Sequence, residues 1–205
     1  MFDAISRFFV NRASWSTFPP QFSLILKFHT LAETMIKTKY ILMLLAVFMI
    51  SLSKGQNKWG FETMVKTMLT NQVDTISSQA LSEMLKNETV LLLDSREQAE
   101  YSVSHLQGAK CIGYKAPDYD LLESADKSKP VVIYCSIGKR SEDIGMELQK
   151  RGFTNVYNLF GGIFDWTNRG YPVLDSKGNE VRKVHPFSTS WGVWLNNYEK
   201  EYGTE

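Results

Sequence analysis

A single cysteine, Cys135, stands between two segments whose patterns predict a strand and a helix. The apolar run Val131–Tyr134 before it is rich in β-branched residues, which favours a strand buried on both faces of a parallel sheet. Loop amides and a helix N-terminus stabilise negative charge, so we expect the thiolate form of Cys135 to be favoured. The pattern therefore predicts a nucleophilic thiol at the carboxyl end of a strand, where open α/β sheets bind ligands. A buried cysteine with a purely structural role is the alternative.

The turn after the cysteine carries one glycine and two cations. Gly138 permits a backbone conformation that a side chain would block. Lys139 and Arg140 would steer anionic substrates toward the thiol. Ser141 is predicted to cap the following helix, with Glu142 in its first turn at the positive end of the dipole. The candidate substrate-binding loop is therefore Ser136, Ile137, Gly138, Lys139 and Arg140.

Strand and helix patterns alternate on both sides of this loop. Short strands are predicted over 73–76, 90–93 and 156–159, with helical patterns between them. This alternation predicts an α/β fold with a doubly wound, mostly parallel sheet flanked by helices.

Two further pairs of residues are predicted to support the loop. Asp94 and Arg96 follow the strand over 90–93, where they could bind substrate or form an ion pair that holds the surroundings of the site. Gly161 and Gly162 would allow a close backbone approach near the loop.

Three ordered blocks of the chain, together spanning about Val73 to Leu174, resemble the rhodanese (sulfurtransferase) family. The blocks read LLLDSREQAEYSVSHLQGA, VVIYCSIGKRS and GFTNVYNLFGGIFDWTNRGYPV. In that family the residue matching Cys135 carries a persulfide, which the backbone amides of the following loop surround. The resemblance also implies a mainly structural role for Asp94 and Arg96.

The resemblance implies transfer of a sulfane sulfur from a small donor such as thiosulfate to a thiol or cyanide acceptor, with a protein thiol as a further class of acceptor. It implies no metal and no organic cofactor. The family frequently has arginine immediately after the cysteine, where this chain has Ser136, so one cation beside the sulfur is missing.

Two other functional classes are open. Phosphatases and arsenate reductases of related fold place five residues between cysteine and arginine, whereas four residues separate Cys135 from Arg140. A non-catalytic or thiol-redox binding module of the cell envelope is the main alternative, because the chain has a second thiol, Cys111. We expect Cys111 to face the core and both thiols to be free, since a disulfide requires Cα atoms within about 7 Å.

The composition excludes several classes of protein. The formal net charge of +1 combines an N-terminal segment, residues 1–55, of charge +4 with a mildly acidic remainder of charge −3, so no nucleic-acid partner is indicated. Two cysteines are too few for a disulfide-rich scaffold or a thiolate metal cluster.

The N-terminal segment predicts export to the periplasm or cell envelope. An apolar run over 40–50 follows Lys37 and Lys39 and precedes small residues, as in a signal peptide, here assigned to 35–55 with cleavage before Gln56. The run is short for a transmembrane helix, and membrane attachment is expected only if the segment over 40–53 stays uncleaved. Residues 1–34 are expected to be an upstream artefact of start assignment or disordered.

Helical spacing of apolar residues also appears on both sides of the rhodanese-like domain, which is assigned to 73–175. It predicts a lead-in helix within 56–72 and a C-terminal helical extension over 176–205, with its helix from about 190 to 202.

Overall fold

The computed structural model describes residues 32–45, 59–87 and 89–202. Its internal contacts divide the chain into two compact units, Met1–Gly55 and Gln56–Glu205. The second unit contains the sheet and Cys135.

The first unit contains part of the predicted signal segment. Residues 32–45 form an exposed helix. The remainder of the predicted signal peptide, the cleavage position before Gln56 and most of residues 1–34 lie outside the described residues. Within the part of the chain that is described, no helix combines the length and apolar character that a bilayer span requires.

Five strands form a parallel sheet in the order β1-β5-β4-β2-β3. The central strand β4 is buried at all four positions, as the unbroken apolar run predicted. The alternating pattern is thus confirmed as an α/β fold with a parallel sheet. The strands are β1 (Asp74–Ile76), β2 (Leu91–Asp94), β3 (Lys110–Cys111), β4 (Val131–Tyr134) and β5 (Val156–Leu159).

Helices cover both faces of this sheet. Val132 and Tyr134 of β4 belong to one apolar cluster, while Val131 and Ile133 belong to the other, because successive side chains point to opposite faces. The first cluster is covered by α1, α2 and α5, and the second by α4. The helices are α1 (59–68), α2 (Ser78–Asn87), α3 (Gln98–Val103), α4 (Lys139–Lys150) and α5 (Gly162–Asn168), with a short 3-10 helix at Tyr119–Leu122.

The predicted lead-in helix is present as α1. Phe61 and Val65 are buried in the core, as the apolar spacing predicted. Trp59 at its start is exposed, and a tryptophan from the C-terminal segment packs on Phe61 instead, with 5.8 Å between the centroids of Trp194 and Phe61.

The prediction of a C-terminal helix over 190–202 is wrong. Residues 173–202 instead fold as four short strands and one 3-10 turn, at Gly192–Trp194. A hairpin pairs two of the strands, and the other two pair in parallel. The strands are β6 (Val173–Leu174), β7 (Glu180–Val181), β8 (Lys183–Val184) and β9 (Glu199–Lys200).

Contacts with α5 explain why the helical spacing did not produce a helix. The side chain of Asn168 donates to the carbonyl of Trp194 at 2.7 Å and accepts from the amide of Asn196 at 2.8 Å. The carbonyl of Trp194 and the amide of Asn196 would otherwise be available for the hydrogen bonds of a helix. Gly192 is also a weak helix former within this segment. The apolar residues still reach the core, because Leu195 and Tyr198 are buried from an irregular chain.

Candidate functional site

Cys135 lies directly after β4 and before α4, as the sequence predicted. Its side chain is 1% exposed, and the amide of Gly138 donates to its Sγ at 3.1 Å. Gly138 has φ of +113°, a conformation that favours glycine, and α4 begins at the next residue, Lys139. The sulfur therefore lies beside a backbone donor at a helix N-terminus, where negative charge is stabilised.

The helix begins two residues before the predicted cap, so the expectation for Ser141 is wrong. The Ser141 hydroxyl donates to Asn158 Oδ1 at 2.7 Å, and Asn158 Nδ2 donates to the carbonyl of Gly138 at 2.8 Å. The left-handed Gly138 is the N-cap in its place and has no side chain with which to cap. Asn158, on β5, therefore fixes the turn where the helix starts.

The glycine pair at 161–162 allows α5 to bind the cysteine loop from the other side. The amide of Ile163 donates to the carbonyl of Cys135 at 2.9 Å, and that of Phe164 donates to the carbonyl of Ser136 at 3.1 Å. A methyl group on the second glycine would collide with both carbonyls. The close backbone approach predicted from the sequence is therefore present, and it fixes the loop backbone.

Asp94 and Arg96 form a buried ion pair at the end of β2. Both side chains are fully buried, with Arg96 Nη2 at 2.7 Å from Asp94 Oδ2 and at 2.6 Å from the carbonyl of Ser104. Burial works to lower the pKa of Arg96, but the charge of Asp94 and the hydrogen bonds to it outweigh burial and raise it. The pair joins β2 to the end of α3, so its geometry favours the supporting role over substrate binding.

Arg140 is already paired with a carboxylate that the sequence did not identify. Its Nη1 and Nη2 donate to Glu100 at 2.7 and 2.8 Å, and Nη2 also donates to Ser136 Oγ at 3.0 Å. Burial works to raise the pKa of Glu100, but the hydrogen bonds and charge of Arg140 lower it overall. The guanidinium thus holds the loop in place through a bidentate pair.

Lys139 is paired as well. Its ammonium group contacts Asp143, whose Oδ2 also accepts from the Tyr114 hydroxyl at 3.0 Å. The hydrogen bond to Asp143 raises the pKa of Lys139, so the group is cationic at neutral pH. Both loop cations therefore have carboxylate partners, and the loop attracts anions less than its sequence suggested.

Cys111 lies too far from Cys135 to form a disulfide with it. Asp94 of β2 is in register with Cys111 of β3 on one side and with Tyr134 of β4 on the other, which puts about 10 Å between the outer strands. Both cysteines are free. Cys111 is only half-buried, so the expectation that it faces the core holds in part, and burial followed by the charge of Asp94 raises its pKa to about 11.

The sequence missed residues that only the fold brings to the loop. Glu100 looked like an ordinary helix residue, and Tyr114 and Phe187 carry no pattern that links them to the site. Asn158 did leave a signal, because a polar residue inside a buried strand requires hydrogen-bond partners. Within the described ranges, no group of three or more His, Cys, Asp or Glu residues could hold a metal ion.

Comparison with known proteins matches residues 77–169 to the rhodanese-like domain family. A thiosulfate sulfurtransferase GlpE from Coxiella burnetii is 34% identical over 98 residues, which are 47% of this chain and 89% of that protein. A sulfurtransferase from Allochromatium vinosum is 35% identical over 107 residues, which are 52% of this chain and 99% of that protein. A rhodanese-like domain protein from Staphylococcus aureus, known from a crystal structure, is 27% identical with a TM-score of 0.41. The match covers 45% of this chain and 90% of that protein.

The parallel sheet, the thiol after its central strand and the two sulfurtransferase relatives together define a rhodanese-type sulfurtransferase. The chain belongs to the rhodanese-like domain family.

Proposed function

We propose that this protein transfers a sulfane sulfur from a small donor such as thiosulfate to a thiol or cyanide through a persulfide on Cys135. The observation that carries the proposal is the position of Cys135 Sγ, 3.1 Å from the Gly138 amide at the N-terminus of α4. Buried backbone donors of this kind stabilise an anionic sulfur without the need for a separate general base.

The first half-reaction loads the cysteine. The Cys135 thiolate attacks the outer sulfur of thiosulfate, the S–S bond of the donor breaks, and sulfite leaves with the bonding electron pair. The product is an anionic persulfide on Cys135.

The second half-reaction unloads it. Cyanide carbon or an acceptor thiolate attacks the outer sulfur of the persulfide, whose S–S bond then breaks. Thiocyanate or a new persulfide leaves, and the Cys135 thiolate is restored. Neither half-reaction needs an external oxidant or reductant.

The paired cations bear on which donor is used. Arg140 is matched by Glu100 and Lys139 by Asp143, and Ser136 stands where the family frequently has arginine. A dianion such as thiosulfate thus finds little net positive charge at the loop, which favours sulfur donors of lower charge.

The strand between the two cysteines weakens the thiol-redox alternative. A dithiol module must bring its sulfurs together, but β2 separates Cys111 from Cys135 by two strand spacings.

Intact mass of protein incubated with thiosulfate tests the proposal. We expect a gain of one sulfur atom that cyanide removes with release of thiocyanate. Cys135→Ser should show no gain. A sulfur atom that loads equally on Cys135→Ser would contradict the assignment of the site.

Export is a second part of the proposal. The basic flank and apolar run over 40–50 support a signal peptide, cleaved before Gln56, that directs the protein to the periplasm or cell envelope. N-terminal sequencing of the mature protein from cell fractions should give a chain that begins at Gln56. A cytoplasmic chain that retains residues 35–55 would contradict export.

A further inference from the structure

The C-terminal segment brings an aromatic side chain to the cysteine loop. The ring centroid of Phe187 lies 4.7 Å from Arg140 Cζ, and Arg140 in turn binds the side chain of Ser136, the residue after Cys135. Phe187 lies outside the region matched to the family and outside the strands and helices of the domain. The family match by itself therefore does not account for this contact.

The backbone of Phe187 adopts a conformation that bulky residues rarely take. Its φ is +65°, and its amide donates to His185 Nδ1 at 3.1 Å. Burial lowers the pKa of His185, which keeps that nitrogen available as an acceptor at neutral pH. Backbone strain of this kind concentrates at functional sites.

Attraction to Arg140 accounts for only part of this arrangement. The ring stacks on the guanidinium, yet Phe187 remains 49% exposed. The ring of Tyr114 also lies near this guanidinium, with 6.0 Å between Arg140 Cζ and its centroid. Two aromatic rings thus lie within 6.0 Å of a cation whose charge Glu100 already balances.

We propose that Phe187, with Tyr114, forms an apolar subsite that binds the organic part of a small thiol acceptor. The inference rests on the proposed function and names the acceptor class for the same cysteine. The acceptor thiolate attacks the outer sulfur of the Cys135 persulfide, the persulfide S–S bond breaks, and the acceptor leaves as an organic persulfide. Cyanide has no apolar part and gains nothing from the ring.

Single-turnover discharge of the loaded protein isolates this step. The persulfide is formed with thiosulfate, excess donor is removed, and its loss is followed by mass after addition of cyanide, 2-mercaptoethanol or benzyl mercaptan. 2-Mercaptoethanol and benzyl mercaptan have similar acidity but differ in the size of their apolar part. We expect the wild-type protein to favour benzyl mercaptan over 2-mercaptoethanol.

One variant tests the subsite and two variants serve as its controls. Phe187→Gly removes the ring and relieves the strained φ, Phe187→Tyr retains the ring, and Val193→Ala shortens another exposed side chain of the same segment, 64% exposed. The ratio of the benzyl mercaptan rate to the cyanide rate should fall about tenfold in Phe187→Gly, the scale of a lost apolar contact. It should stay within twofold of the wild type in Phe187→Tyr and Val193→Ala.

Two outcomes would overturn the subsite. An unchanged ratio in Phe187→Gly would show that the ring does not contact the acceptor. An equal loss of the benzyl mercaptan and cyanide rates would show that Phe187 only positions Arg140 and the loop. Failure of the wild-type protein to load sulfur at all would instead contradict the proposed function itself.

Discussion

At the scale of single residues, the two thiols differ in what surrounds them. Cys135 Sγ accepts from a loop amide, whereas burial and Asp94 hold the pKa of Cys111 at about 11. We therefore predict that Cys135 alkylates before Cys111 at neutral pH. We also predict that Cys135→Ser abolishes sulfur transfer with little change in stability, because the substitution alters little side-chain volume. Cys111→Ala, the matched control, should retain activity. Thiol titration and thiocyanate release measure both, and loss of activity in Cys111→Ala alone would contradict the assignment.

The pair of Glu100 and Arg140 is a second feature at this scale. Glu100→Gln should lower the free energy of unfolding by about 2 kcal/mol at neutral pH, because the charged hydrogen bonds of Arg140 are lost. The exposed pair of Glu83 and Lys86 provides the control, and Glu83→Gln should change stability by less than about 1 kcal/mol. Denaturant unfolding measures both.

The pH dependence of this difference has a definite sign. The pKa of Glu100 is lowered in the folded protein, so its contribution to stability is present above the unfolded pKa and is lost as pH falls through the folded value. The gap between wild type and Glu100→Gln should therefore be full at neutral pH and shrink below about pH 4. A gap that widens in acid would contradict the pairing.

At the scale of elements, the contact between α5 and the cysteine loop should tolerate no side chain. Gly162→Ala combines a positive φ of 56° with a collision against the loop backbone, and we expect a loss of about 3–5 kcal/mol together with loss of transfer activity. Gly178→Ala, at φ of +84° in open space, isolates the conformational cost and should lose only about 1–2 kcal/mol. Equal losses, measured by denaturant unfolding, would show that the collision relaxes freely.

At the scale of the whole molecule, the C-terminal segment is part of the domain core. Leu195 is 3% exposed within the main apolar cluster, whereas Val193 in the same segment is 64% exposed. Leu195→Ala should lower the free energy of unfolding by about 3 kcal/mol. Val193→Ala should stay within about 0.5 kcal/mol of the wild type. Similar effects for the two variants would show that the segment packs loosely on the domain.

The sequence alone predicted the sheet, the position of Cys135 after its central strand and the glycines near the loop. Periodicity is a local property, so the buried run at Val131–Tyr134 predicted the central strand, and the residue after it predicted Cys135 as the candidate nucleophile. The close approach at Gly162 was also predictable, because paired glycines after a strand signal that backbone must come near.

Only the tertiary structure decided the charge at the loop and the course of the C-terminal segment. Glu100 precedes Arg140 by forty residues, and no local pattern indicates that the two would neutralise each other. The spacing of Trp191, Trp194 and Leu195 fits a helix, but Asn168 binds the backbone groups there and only one 3-10 turn forms, at Gly192–Trp194. Long-range hydrogen bonds of this kind outweigh a local propensity of a few tenths of a kcal/mol per residue.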